Sequence, residues 1–354
     1  MNHPRRTLPY LTHPLRGIGG FLKSSPEDFH VEEIPAYEPC GEGEFLFVRI
    51  EKRNLNTQDV LNKLARHCEV SAKQASAAGQ KDRHAVTIQT ICLPAMAQEK
   101  LDSFDDPDVT ILSSALHRNK LKTGHLAGNR FEVTLRGIDK SLDERAFELR
   151  DLILEKGFPN YYGEQRFGHE GNTLSQGIEL LQGKNPFGKM SYSQRSHLQR
   201  LCLNAVQSEL FNRCLVRRLK SSSLWTVQRG DVMQVVKSGG QFVVEEEIQE
   251  EQERFDRGAT AITGPMFGPK MKMPLDQPFW EEETVLAESG LVMNDFRRFK
   301  KMTPGTRRPY LIRLAELDIV REGDGLRFLF ELPKGSYATS LLREFQREAA
   351  DETE

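Results

Sequence analysis

The chain has 354 residues, 49 Lys and Arg against 51 Asp and Glu for a net charge of -2, and 38% hydrophobic side chains. That length predicts two domains, and the even balance of charge excludes a uniformly basic nucleic-acid protein, leaving local clusters to carry any such binding. Five scattered cysteines, Cys40, Cys68, Cys92, Cys202 and Cys214, form no C-x-x-C pair and exclude a disulfide framework or a zinc ribbon. The start MNHPRRTLPYLTHPLRG lacks the apolar core of a signal peptide and no window has the length of a membrane span, so a cytoplasmic protein without membrane association is expected.

In chain order, Gly17-Ile18-Gly19-Gly20 follows no predicted strand and is not read as a phosphate loop. Gly41 to Glu44 reads as a turn, and Phe45 to Ile50 as a strand with Leu46, Val48 and Ile50 on one face. Asn56 is placed to cap a helix whose apolar stripe is Val60, Leu61, Leu64, Ala65 and Cys68, with Asp59 near the open amides. A helical run is expected to end at Gly79. After it comes a charged turn, then from Ala85 a strand in which Val86, Ile88 and Cys92 alternate with Thr87, Gln89 and Leu93. Asp82 falls on that turn between Lys81 and Arg83. These residues alone read first as a solvated connection, with a carboxylate at a strand entrance that can act on a substrate as the other reading.

His117 to Phe131 carries positive side chains with no carboxylate, the kind of local excess that phosphate contacts need. It is also readable as a solvated basic loop. Phe131, Val133 and Leu135 continue it as a strand pattern, so Phe131 has a core reading as well. Ser141-Leu142-Asp143-Glu144 reads as a capping box for a helix running to about Lys156, ended by Gly157. Phe158 to Gly168 packs aromatic, amide and cationic groups together. A long amphipathic helix follows from Ser193 to Leu219, with Leu198, Leu201, Cys202, Ala205, Val206 and Leu210 as its stripe. Glu245 to Glu253 is read as solvated and acidic, whereas Arg297 to Lys301 and Thr306 to Arg308 interleave basic and aromatic groups. Leu326, Phe328, Phe330 and Leu332 form an alternating strand, and Pro333-Lys334-Gly335 turns the chain into a last helix.

The stretch AGQKDRHAVTIQ resembles the catalytic motif of the TruD family of RNA pseudouridine synthases, G-x-K-D-[KR]-x-A-V-T, whose aspartate is the catalytic residue; here that is Asp82. PEDFHVEE resembles the family's E-D-F-x-V-x-E signature, which brings in Phe29, and Lys23 just upstream matches the lysine set against the aspartate. The family more often has histidine where this chain has Phe45. KLKTGHLAGNRF is similar to K-x-x-G-x-L-x-G-N-x-F, which places Asn129 and Phe131 at the target uridine, and PNYYGEQRFG and LPKGSYAT match two further motifs, with Tyr337 at the substrate. The five motifs stand in the family's order from about Leu22 to Glu344.

The resemblance implies an α+β fold. A catalytic domain with a mostly antiparallel sheet and flanking helices would be made by residues 1–158 and 314–354, interrupted by an inserted, mainly helical domain at 159–313. It implies isomerisation of uridine in tRNA, at uridine 13 in bacterial members, by a monomer that needs no cofactor, metal or protein partner. RNA is expected in the cleft between the domains, with Lys120, Lys122 and Arg166 among its basic contacts. Two other classes stay open: a noncatalytic RNA-binding protein, and a nucleoside hydrolase or other glycosidase, for which no second carboxylate stands out.

Overall fold

The structure is a computed structural model that describes residues 8–13, 15–168, 171–188 and 190–347. The chain divides into two units. The first is made by the described residues of Pro14–Lys156, Leu314–Ala338 and Leu342–Glu354, the second by those of Met1–His13, Gly157–Arg313 and Thr339–Leu341.

The first unit begins with β1 (Phe21–Leu22), β2 (Phe29–Pro35) and β3 (Phe45–Arg53). Helix α1 (Thr57–His67) starts where Asn56 Oδ1 accepts the Asp59 N–H at 2.9 Å, satisfying one of the open amides of its first turn. Its stripe of Val60, Leu61, Leu64 and Cys68 packs on Leu46, Val48 and Ile50 of β3, as the periodicity predicts. No helix ends at Gly79. Residues 70–79 form turns and β4 (Ser76–Ala77), which pairs with Cys92 and Ile91 of β5 (Val86–Pro94). That run has helix-prone residues but no large apolar side chains at helical spacing to bury, and Ser76 Oγ instead donates to the Leu121 carbonyl at 2.7 Å.

β5 differs from its expected alternation. It is a central strand, so Thr87 and Gln89 are as deeply buried as Ile91 and Leu93, and Ile88 is only half-buried. Next come α2 (Gln98–Leu101), β6 (Val109–His117), β7 (Leu126–Arg136) and α3 (Asp143–Lys156). The lead-in to α3 is capped by Asp139, whose carboxylate accepts the Ser141 N–H at 2.8 Å, rather than by Ser141 itself. Gly157, at φ +77°, ends the helix in a conformation that side chains disfavour.

The second unit holds β8 (Phe158–Pro159), α4 (Asn172–Leu181), α5 (Tyr192–Lys220), β9 (Val232–Val235), β10 (Gln241–Val243), α6 (Ile248–Asp256), β11 (Thr260–Met266), α7 (Asp276–Glu288), β12 (Thr306–Pro309) and β13 (Leu311–Ile312). Its core gathers Cys202, Val206, Leu210 and Phe211 of α5 with Leu174 and Leu180 of α4, while Leu201 faces solvent. Beside the helices lies an antiparallel sheet in the order β10-β9-β11-β12, which the helical reading of this region missed. The basic tract at Thr306 to Arg308 is partly interior: the buried Arg307 guanidinium donates twice to Glu282, at 2.7 and 2.9 Å. Among the described residues no helix is long and apolar enough to cross a membrane.

The chain completes the first unit with β14 (Leu317–Glu322) and β15 (Gly325–Pro333), and ends its described part in α8 (Ala338–Gln346). The architecture is α+β. Nine strands form one sheet in the order β14-β15-β7-β2-β5-β3-β6, with β1 on β7 and β4 on β5. Neighbouring strands of this sheet run antiparallel except β2 and β5, where His30 lies beside Val86 and Val31 beside Thr87.

Candidate active site

A parallel pair brings the starts of both strands to one end of the sheet. The segment entering β2 carries Lys23, and the loop entering β5 carries Asp82. Because β3 runs antiparallel to β5, with Arg53 opposite Val86, the close of β3 arrives at that same end with Lys52. Three segments far apart in the sequence thus converge through strand direction alone.

Lys23 Nζ donates to Asp82 Oδ2 at 2.8 Å, and the carboxylate keeps 56% of its side chain exposed. The same ammonium lies 4.2 Å from the centre of the Phe29 ring, over its face, a favourable cation–π position. Lys23 has φ +60°, a left-handed conformation that residues with a Cβ adopt at a cost. Behind the loop, the Lys81 side chain runs inward. Its Nζ lies 3.2 Å from Oε2 of the buried Glu33 and donates to Asn129 Oδ1, while the Thr90 N–H donates to Glu33 Oε1 at 3.3 Å.

Lys52 has no exposed surface, and its Nζ donates to the carbonyls of Asp82, at 2.9 Å, and of Leu55, at 2.6 Å. Burial lowers its pKa from the ordinary 10.5 to about 8; Asp82 opposes that fall and Lys81 adds to it. The Lys81 N–H donates to Thr57 Oγ1 at 2.9 Å, and Thr57 donates to Gln89 Oε1 at 3.1 Å. Lys52, Glu33, Thr57 and Gln89 were not singled out from the sequence. A signal existed: Phe29, Val31 and Glu33 occupy one face of β2, as Leu46, Val48, Ile50 and Lys52 do of β3, so each charge extends an inward apolar alternation.

Of the aromatic candidates, Phe29 and Phe131 are interior. Phe131, 7% exposed, stacks on Phe330, directly opposite on β15, with centroids 5.3 Å apart, and takes the edge of Phe29 at 6.2 Å. Contacts therefore join Asp82, Lys23, Phe29 and Phe131 into one cluster, to which Lys81 links Asn129. Tyr337, 40% exposed, stands at the N-cap of α8.

Lys120 and Lys122 occupy the loop from β6 to β7, where Lys120 Nζ lies 3.4 Å from the Lys73 carbonyl and Arg118 pairs with Glu42. Tyr37 stacks on His117 at 5.2 Å and hydrogen-bonds His125 at 2.7 Å, bracing both ends of that loop. Arg166 belongs to the second unit, where its Nε donates to Ser208 Oγ at 3.2 Å beneath the Tyr162 ring.

An exposed carboxylate against an ammonium, on a loop held from behind, is a group able to attack a carbon or take a proton. The other carboxylate of this network, Glu33, is buried and engaged, so the pair does not form the two accessible carboxyls of a glycosidase.

The family model described as tRNA pseudouridine synthase D (TruD) matches residues 7–188 and 189–345. The chain is 38% identical over 344 residues to a tRNA pseudouridine synthase D of Anaeromyxobacter sp. strain Fw109-5, covering 97% of each, and 40% identical over 348 residues to one of Thermus thermophilus, covering 98% of this chain and 94% of the relative. A crystal structure described as that of the Methanosarcina mazei tRNA pseudouridine synthase D (TruD) superimposes with a TM-score of 0.74 at 26% identity, covering 94% of both chains.

Proposed function

The chain belongs to the TruD family of tRNA pseudouridine synthases, and we propose that Asp82 is the residue with which it isomerises uridine to pseudouridine in tRNA. The observation that carries the assignment is the Lys23–Asp82 pair at 2.8 Å, with the carboxylate open to a substrate on a loop anchored from within.

In the reaction the bond from N1 to C1' breaks and one from C5 to C1' forms. The C5 proton leaves and N1 gains one, so no electrons are exchanged. Asp82 acts either by attacking C1' or by removing the 2' proton, and the geometry serves both. The Lys23 ammonium balances the carboxylate's negative charge before that step and again once the product leaves, the charge being consumed in between by the bond to C1' or by the proton.

Around Asp82 we assign Asn129 to the uracil edge and Phe29, Phe131 and Tyr337 to its faces. In this reading the catalytic domain is drawn from residues 1–158 and 314–354 and the insertion from 159–313, although the described residues of Met1–His13, 157–158 and Thr339–Leu341 belong to the second unit. Lys120, Lys122 and Arg166 serve phosphates, uridine 13 is the target, and the enzyme acts as a cytoplasmic monomer, where its tRNA substrate is found.

Incubation with transcribed tRNA followed by nucleoside analysis tests the reading: pseudouridine supports it, unchanged RNA favours a binding protein, and free uracil a hydrolase. Asp82→Asn should abolish product while leaving tRNA binding within about twofold. Turnover by Asp82→Asn within about tenfold of wild type, a barrier change under about 1.4 kcal/mol, overturns the assignment.

A further inference from the structure

From Gly79 to Ala85 the loop that displays Asp82 has no helix or strand of its own. A reacting group must nevertheless be held to within about 0.5 Å of its productive position. Two buried side chains hold the main chain on either side of the Asp82 α-carbon. On one side, Thr57 Oγ1 accepts the Lys81 N–H at 2.9 Å and is itself fixed by donating to Gln89 Oε1. On the other, Lys52 Nζ donates to the Asp82 carbonyl at 2.9 Å and is fixed by donating to the Leu55 carbonyl at 2.6 Å.

None of Lys52, Thr57 and Gln89 exposes any surface, so none of them can touch RNA. A buried ammonium is a costly group to hold in a sheet: a methionine at the same place would fill similar space without the desolvation penalty. Packing therefore does not account for Lys52, whereas orientation of the loop does. The ammonium also places positive charge directly beneath the one residue of the loop that must carry negative charge toward the substrate.

We propose that Lys52 and Thr57 are positioning residues for pseudouridine formation, clamping the main chain from Lys81 N to Asp82 O so that the carboxylate projects at a fixed orientation. This rests on the assignment of Asp82 as the catalytic residue. Positioning acts on the chemical step after tRNA has bound. A purely structural role acts on the folded fraction instead, so the two differ in what they change.

The test is single-turnover kinetics and tRNA affinity for Lys52→Met and Thr57→Val, with Asp82→Asn alongside and rates expressed per folded molecule. Lys52→Met should slow the single-turnover step by about tenfold or more, and Thr57→Val by at least about threefold, each with tRNA affinity within about twofold of wild type. Rates within about twofold of wild type, or a raised KM with unchanged kcat, overturn the clamp. Should Lys52→Met fail to fold, Thr57→Val, which alters neither charge nor shape appreciably, decides by the same readout. Activity retained in Asp82→Asn would defeat the assignment of the catalytic residue. An inactive Asp82→Asn beside a fully active Lys52→Met would defeat the clamp alone.

Discussion

Lys23 holds a left-handed backbone conformation, which costs a residue with a side chain about 1 kcal/mol, and its ammonium is shared between Asp82 and the Phe29 ring. Backbone cost and charge can be separated by substitution. Lys23→Met keeps the strain and removes the charge, whereas Lys23→Gly removes both. Both should lose activity to a similar extent, while Lys23→Gly should be the more stable by up to about 1 kcal/mol in urea denaturation. Normal activity in either would show that Asp82 works without this partner. Phe131 presents a second question, since a ring stacked on Phe330 and only 7% exposed has a packing role whatever else it does. Phe131→Ala should cost about 3 to 5 kcal/mol of stability. The single-turnover rate per folded molecule then decides whether it also serves the uridine. A rate equal to wild type assigns Phe131 to the core, and a loss that Phe131→Tyr restores assigns it to the substrate.

At the scale of elements, the strand of Leu46, Val48 and Ile50 and the helix with its stripe from Val60 to Cys68 were legible because each repeats one apolar period over several turns or residues. The stretch before Gly79 was not, because its small side chains fit helix or strand and the pairing of β4 with β5 settled the matter from outside the segment. Asp82, Lys23 and Asn129 were named through motif resemblance. The anchors Lys52, Glu33, Thr57 and Gln89 depend on strand direction and register, which no single segment encodes. Lys52 has a consequence for stability. Its pKa lies near 8 in the fold and 10.5 ordinarily, so between those values the unfolded chain binds more protons and stability rises with pH. Below about pH 8 the full cost of the buried charge is present. The difference in unfolding free energy between wild type and Lys52→Met should therefore shift in favour of wild type from pH 8 to 10.5, by up to about 3 kcal/mol. A pH-independent difference would mean that Lys52 is not held charged in a desolvated site.

For the whole molecule, a net charge of -2 gives no general attraction to RNA, so affinity must come from places where the charges are uneven. The division into two units was beyond reach of periodicity, since nothing in the helix from Asp143 to Lys156 announces that the chain leaves its sheet and returns to it at Leu314. What the sequence did display was the run from His117 to Phe131, of which the fold presents residues 118–125 as a loop braced at Tyr37 by His117 and His125, and Leu126 to Phe131 as the start of β7. Within that loop the cations are unequal. Arg118 already pairs with the Glu42 carboxylate, whereas Lys122 is exposed and Lys120 reaches the Lys73 carbonyl. A cation contributes to salt-dependent binding only if phosphate replaces its counterions, so Arg118 has less to gain than the two lysines. Replacing Lys120 and Lys122 together by glutamine should weaken binding to any tRNA and lower the slope of log affinity against log salt by about 1.4 to 1.8, the value for two lost phosphate contacts. Arg118→Gln should lower it by less than about 0.7, because Glu42 already stands beside its guanidinium and competes with phosphate for it. Titration of each variant with tRNA across a series of potassium chloride concentrations measures both slopes. Equal slopes for the double variant and wild type would place this loop outside the tRNA footprint. A loss confined to one tRNA sequence would mean that the lysines read bases, contrary to contacts that only hold the backbone.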